Sequence, residues 1–168
     1  FARWGFRPEW SKSDDPAMAS KMINARSETV HEKPSFRDSW ARGRRCIIPA
    51  NGFYEWKKEE HSGEKQPYFI HHESAETLCM AGLWSKVDDQ VTFTILTKHA
   101  DGDIADLHHR MPVMFEIEQA QGWFSADIND AREMIARANG QQCKAYKVSS
   151  DVGKASNDSA NLIERLSA

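Results

Sequence analysis

Glu55 stands between Tyr54 and Trp56 in the stretch RRCIIPANGFYEWKK (44–58), a carboxylate set among aromatics in a strand-like run. Desolvation penalises the charged form of such a group, which leaves two readings open. Either alternation turns Glu55 to water, or burial gives its carboxyl an altered pKa. Other polar side chains also occupy apolar-looking places. Asn24, Arg26 and Glu28 alternate through INARSETV, and His108, His109 and Arg110 precede MPVMF at a loop-to-strand boundary. A carboxylate and an imidazole brought together by a fold can do general acid–base work, because each tunes the other's pKa. Spacing alone does not say whether Glu55 and His108 meet, and an exposed strand carboxylate is the commoner case.

Several chemistries lack their signatures. The pairs His71-His72 and His108-His109 are adjacent, so on a strand their members would point to opposite faces, and HExxH and zinc-module spacings are absent. No metal site and no cofactor is expected. There is no GxSxG for a serine hydrolase and no glycine-rich phosphate loop. Cys46 and Cys79 lie in apolar strand-like runs and read as buried structural thiols. With Cys143 they form an odd set without CxxC, which suits a reducing cytoplasm. Of six tryptophans, Trp10 and Trp56 flank polar or charged neighbours, whereas Trp84 and Trp123 look like core. Exposed aromatics beside arginines can stack the bases of a single strand, although core packing is the ordinary fate of a tryptophan. The run RDSWARGRR (37–45) carries Arg37, Arg42, Arg44 and Arg45, yet the net charge is −3, and the charge pattern reads as a solvated helix end.

The elements that must position these groups follow from periodicity and turn residues. At 168 residues, 40% hydrophobic and 28% charged, the chain fits one domain, and no apolar run approaches the ~20 residues that span a bilayer. KPSFRDSWARG reads as a short helix ended by Gly43, and RCIIPA and GFYEWKK as a hairpin about Asn51-Gly52. SKSDDPAMASKM and KEEHSGEKQP read as polar connections. PYFIHH, TLCMAGLWS, VTFTILTK and RMPVMF supply further strands, and CKAYKVS a late one. EIEQAQGWF and INDAREMIARANG have helical spacing, the second presenting Ile128, Ala131, Met134, Ile135 and Ala138 on one face with Gly140 as its stop. NDSANLIERLSA reads as a terminal helical turn capped by Asp158 or Ser159. The expected fold is α+β, a single domain spanning 1–168 with a mainly antiparallel, curved or barrel-like sheet and peripheral helices.

RWGFRPEW, INARSETV, RRCIIPANGFYEW, ILTKHA, LHHRMPVMF and VSSDVGKASNDSANLIE, in that order, resemble the motifs of the SOS-response-associated peptidase (SRAP) family across essentially the whole chain. The resemblance implies a DNA-repair protein that shields abasic sites in single-stranded DNA by linking to them covalently, as a monomer and away from membranes. It implies a cysteine nucleophile at the mature N-terminus, freed by autoproteolytic loss of the initiator Met, that closes a thiazolidine on the opened sugar. None of Cys46, Cys79 and Cys143 matches that cysteine, and the sequence opens at FARWGFRPEW without Met, so the matching segment is expected upstream of Phe1. By the same resemblance Asn24, Glu55 and His108 match catalytic positions, and Arg26, Trp10, Trp56 and Arg110 match positions that contact DNA. Two rivals stand beside this: a peptidase acting on other proteins, and a module that binds single-stranded nucleic acid without covalent chemistry.

Overall fold

The structure, a computed structural model, describes residues 1–11, 16–59, 63–74 and 77–166. In chain order the elements are β1 (Ala2–Trp4), α1 (Pro16–Ser20), β2 (Asn24–Arg26), α2 (Arg37–Ala41), β3 (Arg45–Ala50), β4 (Phe53–Lys58) and β5 (Lys65–His72). There follow β6 (Leu78–Val87), β7 (Gln90–His99), β8 (Arg110–Pro112), β9 (Met114–Phe115), α3 (Ile117–Ser125), α4 (Ile128–Arg137) and β10 (Cys143–Lys147). Short 3-10 turns occupy Gly102–Ile104, Ser150–Gly153 and Ala160–Ile163. The class is α+β, and neither sheet closes into a barrel among the described residues. The chain forms two compact units.

The first unit comprises Phe1–Pro49, Leu78–Lys98 and Pro112–Asn139. Its centre is the antiparallel pair β6–β7, turned at Asp88-Asp89, where Asp88 takes φ +55°, a left-handed conformation that Asp tolerates better than most side chains. β3 lies on the other side of β6, and β9 pairs with the start of β6. β1 and β2 lie along β7 in parallel, with Ala2 opposite Val91 and Asn24 opposite Ile95, so this sheet is mixed. α2 and α3 pack on β6. The core gathers Cys79, Ala81 and Leu83 of β6, Leu96 of β7, Ala25 of β2, and Trp40, Trp123 and Ala131 of the helices. Asp127 caps α4 by accepting from the Asn129 and Asp130 amides at 2.7 and 2.9 Å. Along α4 the expected face is inward at Ala131, Met134 and Ile135, while Ile128 is exposed.

The second unit comprises Ala50–Thr77, His99–Met111 and Gly140–Ala168. Its sheet is antiparallel in the order β10–β5–β4, with Glu55 opposite Tyr68 and Tyr146 opposite Phe69. The Asn51-Gly52 hairpin expected from sequence does not form: β3 pairs with β6, and β4 pairs with β5. A type I′ turn needs positive φ at both central residues, and neither Asn51 nor Gly52 adopts it. Glycine is required at 52 for another reason. A Cβ there would collide with the Phe69 ring and the Ile70 carbonyl of β5.

Two further expectations are corrected. The run 37–45 is not wholly a solvated helix end: Arg45 is buried, its guanidinium 5.4 and 5.3 Å from the rings of Trp40 and Trp123. A guanidinium over two indole faces gains cation–π attraction that offsets part of its desolvation. Trp84 is half-buried rather than core, with Arg44 over its ring at 5.1 Å. The two polar connections are only partly described. Residues 12–15 and 60–62 lie outside the described residues, as do 167 and 168 of the terminal turn, and 16–20 of the first connection are helical.

Candidate functional site

Glu55 is placed by the register of β4 on β5. Because side chains alternate along a strand, Phe53 and Glu55 share one face with Tyr68 and Ile70 across the pairing, and Ile70 is fully buried. Tyr54 and Trp56 point the other way. Alternation alone does not choose between the two readings; what packs on this face does, and the Glu55 side chain keeps 27% exposure there. Burial pushes the Glu55 carboxyl pKa up, while His108, a hydrogen bond from the Trp56 backbone and His109 pull it partly back. A carboxyl so poised holds a proton longer than a surface glutamate and can both give and take one.

His108 is brought to Glu55 by the segment after β7. The 3-10 turn Gly102–Ile104 continues into a tight bend in which the amides of Leu107 and His108 donate to the Ile104 carbonyl at 2.9 and 3.0 Å. The Ala100 amide donates to the His109 carbonyl at 3.1 Å and closes the segment. His108 Nδ1 then lies 3.7 Å from Glu55 Oε1, 3.0 Å from the Arg110 carbonyl and 3.1 Å from the Arg110 amide. With a proton on Nδ1 it donates to the carbonyl or faces the carboxylate. Without one, it accepts from the amide. One nitrogen thus has a partner in either protonation state, a requirement for a group that shuttles a proton. The His109 ring packs on that of His108 with centroids 4.3 Å apart.

Glu55, His108, Arg110 and Trp56 all belong to the second unit, and the first two are in contact. Arg110 is half-buried and Trp56 is 39% exposed on the face of β4 opposite Glu55. Asn24, Arg26 and Trp10 belong to the first unit. In β2, Ala25 enters the core while Asn24 and Arg26 are exposed on the opposite face of the sheet. Register puts Ala2, Trp4, Phe93 and Trp84 on that same face. There a hollow of about 530 Å³ is lined by Cys46, Ile48, Trp84, Val91 and Phe93 among others. Trp10 is exposed, its Nε1 donating to the Pro34 carbonyl at 3.2 Å. The reading by residue type missed the hollow, whose only trace is that β6 and β7 carry large apolar residues at both parities. It also passed over the contact between the His109 and His108 rings.

The cysteines are not poised to react. Burial pushes the Cys46 thiol up to about 12, and it raises Cys79 as well, with Glu116 and Glu118 adding to the shift. Cys143 is buried. A thiol with so high a pKa is roughly a thousandfold less thiolate at pH 8 than an ordinary one. Iodoacetamide is therefore expected to label Cys46, Cys79 and Cys143 rapidly only after denaturation, as read by peptide mass spectrometry. Fast labelling of any of them in the native protein would contradict this placement.

Residues 1–155 match the family model described as SOS response associated peptidase (SRAP). The chain belongs to the SRAP family. It is 38% identical over 170 residues to the abasic site processing protein YoqW of Bacillus subtilis, covering 96% of this chain and 74% of the relative. Against the abasic site processing protein HMCES of Gallus gallus it is 33% identical over 188 residues, covering 96% of this chain and 55% of the relative. A crystal structure of a protein from Bacteroides thetaiotaomicron superposes with a TM-score of 0.81 at 28% identity, over 97% of this chain and 75% of that one. The SRAP relationship thus extends over the segments that carry Asn24, Glu55 and His108.

Proposed function

We propose that this protein processes abasic sites in single-stranded DNA, linking to the ring-opened sugar through an N-terminal cysteine of the full-length protein. The observation that carries the reading is the half-buried Glu55 carboxyl facing His108 Nδ1 at 3.7 Å, in a chain whose relatives are named abasic site processing proteins. An abasic sugar exists partly as an aldehyde. An α-amine, with a pKa of about 7.7–8.0, is appreciably neutral at physiological pH and attacks that aldehyde to form a Schiff base with loss of water. The neighbouring thiol then adds to the imine carbon and closes a five-membered thiazolidine, which persists where a lysine Schiff base would hydrolyse. Opening the sugar, losing water and closing the ring each move a proton, and Glu55 and His108 supply and accept these protons. Asn24 positions the amine. Arg26 and Arg110 hold phosphates through charge-assisted hydrogen bonds, and Trp10 and Trp56 offer faces for bases. Freeing the cysteine by removal of the initiator Met is assigned to the protein itself.

Full-length protein mixed with a single-stranded oligonucleotide bearing one abasic site should give one shifted band that survives heating in detergent, and none with the intact strand. Equal binding of both strands without that band would replace this reading with non-covalent binding. Glu55-dependent release of peptides from an unrelated protein would replace it with a peptidase. For Arg26, whose side chain is exposed beside Asn24, Arg26→Ala should weaken binding to single strands and reduce the slope of log affinity against log salt by about 0.7, the share of one phosphate contact. An unchanged slope would make Arg26 structural.

A further inference from the structure

The chain carries two Asn-Gly pairs, Asn51-Gly52 and Asn139-Gly140, with the same local chemistry and opposite surroundings. We propose that Asn51 is a modification site: it loses its side-chain amide through a cyclic imide with Gly52, giving aspartate and isoaspartate, and the isoaspartate form loosens the start of β4, the strand that carries Glu55. The site itself does not depend on the abasic-site reading; only its effect on adduct formation does.

In an Asn-Gly pair the glycine nitrogen can attack the asparagine Cγ, because no glycine Cβ shields it. The new N–Cγ bond closes a five-membered imide. The Cγ–Nδ2 bond breaks, and the amide leaves as ammonia with the proton of the glycine nitrogen. Water then opens the imide. Cleaving the bond to Cγ leaves aspartate; cleaving the bond to the main-chain carbonyl leaves isoaspartate, whose backbone runs through Cβ and Cγ and is longer by one carbon. The reaction needs a nitrogen and a side chain that are not held elsewhere. Asn51 is exposed in the bend between β3 and β4, and among the described residues neither its side chain nor the Gly52 amide makes a hydrogen bond. An asparagine that builds a turn would instead accept from an amide two residues on. At the other pair both partners are tied. The Gly140 amide donates to Asp101 Oδ1 at 2.5 Å, and Asn139 Nδ2 donates to the Arg137 carbonyl at 3.3 Å.

The consequence follows from backbone geometry rather than charge. Four extended residues put the new carboxylate about 13 Å from Glu55, beyond the screening length of about 8 Å at physiological salt. The extra carbon has a larger effect. Phe53 pairs with Ile70, and Gly52 lies so close to the Phe69 ring and the Ile70 carbonyl that a Cβ would overlap both. A lengthened backbone entering there has no slack, so the strain falls on the Phe53–Ile70 pairing.

The test is to age full-length protein for days at physiological temperature in mildly alkaline buffer, folded or in denaturant. Peptide mass spectrometry reads the loss of the amide, and enzymatic methylation scores isoaspartate. In the folded protein the Asn51 peptide should convert and the Asn139 peptide should not; in denaturant both should. No conversion of folded Asn51, equal conversion at both pairs, or protection of Asn139 that persists in denaturant would overturn the site. Adduct formation by the aged protein should fall in step with its isoaspartate content, and its urea midpoint should drop. Asn51→Gln, whose longer side chain cannot close the five-membered imide, should keep both on ageing. Freshly made Asn51→Asp, with the charge but not the extra carbon, should match fresh wild type. Losses on ageing of Asn51→Gln equal to those of wild type, a fresh Asn51→Asp as impaired as the aged protein, or unchanged rate and midpoint in aged wild type would each overturn the role of isoaspartate. If fresh protein forms no adduct, the abasic-site reading fails and the urea midpoint still decides this one.

Discussion

Glu55→Gln should lower the rate of adduct formation by about 10²–10⁴-fold, the usual worth of a positioned acid–base group, with little change in affinity for single-stranded DNA. The same substitution should make the protein more stable at neutral pH. Burial raises the folded-state pKa of Glu55 despite the opposing pull of His108, the Trp56 backbone and His109. A carboxyl whose pKa is higher in the folded than in the unfolded chain binds its proton more tightly when folded. Its stabilising contribution is then complete below the ordinary carboxyl range and is lost as pH rises through the raised value. Glutamine carries no such loss. The advantage of the variant in urea denaturation should therefore be present at pH 7–8 and narrow as pH falls toward 4. Loss of rate together with gain of stability is the signature of a carboxylate buried for function. An unchanged rate with unchanged stability would make Glu55 a surface carboxylate that merely lies near His108.

Trp123→Ala should cost about 3–5 kcal/mol, a large share of the stability of a domain this size. Trp123 of α3 is fully buried and packs at a tilt against Phe115 and Trp40 at centroid distances of 5.4 and 6.4 Å. Its Nε1 donates to the Cys46 carbonyl at 3.1 Å and the Gly82 carbonyl at 3.3 Å, tying α3 to β3 and β6. Removing the indole opens a cavity, leaves both carbonyls without that donor and strips Arg45 of one of its two aromatic faces. Trp123→Phe keeps most of the volume and should cost less, chiefly the lost hydrogen bonds. Chemical denaturation of both variants measures the difference. A cost below about 1 kcal/mol for the alanine variant would show that the helix is not anchored there.

Much of the fold was legible because local physics and tertiary physics agree. β5, β6 and β7 form where β-rich runs stand between turn residues, and α2 ends where Gly43 takes φ +64°. α3 and α4 follow the helical spacing of their apolar residues. Legibility failed where a local signal was overridden by what lay across from it. Asn51-Gly52 has the composition of a hairpin turn, yet its strands pair elsewhere, because Gly52 answers the close approach of Phe69 and Ile70 rather than a turn. Arg45 reads as a solvated charge, and only the meeting of Trp40 and Trp123 in space lets it be buried.

For the site the division is similar. Sequence by itself offered the candidates Asn24, Arg26, Glu55, His108 and Arg110, because residue types in a motif order are a property of the chain alone. It also determined the alternation that sets Ala25 against Asn24 and Arg26, since period-two geometry is local to a strand. Only the tertiary structure decided that Glu55 is half-buried while Trp56, on the other face of β4, keeps 39% exposure, because that depends on what packs around each side chain. Only it decided that His108 Nδ1 stands 3.7 Å from Glu55, with the His109 ring tilted against that of His108. Proton affinity follows from burial and from charges within a few ångströms, and neither is written in the order of residues along a chain.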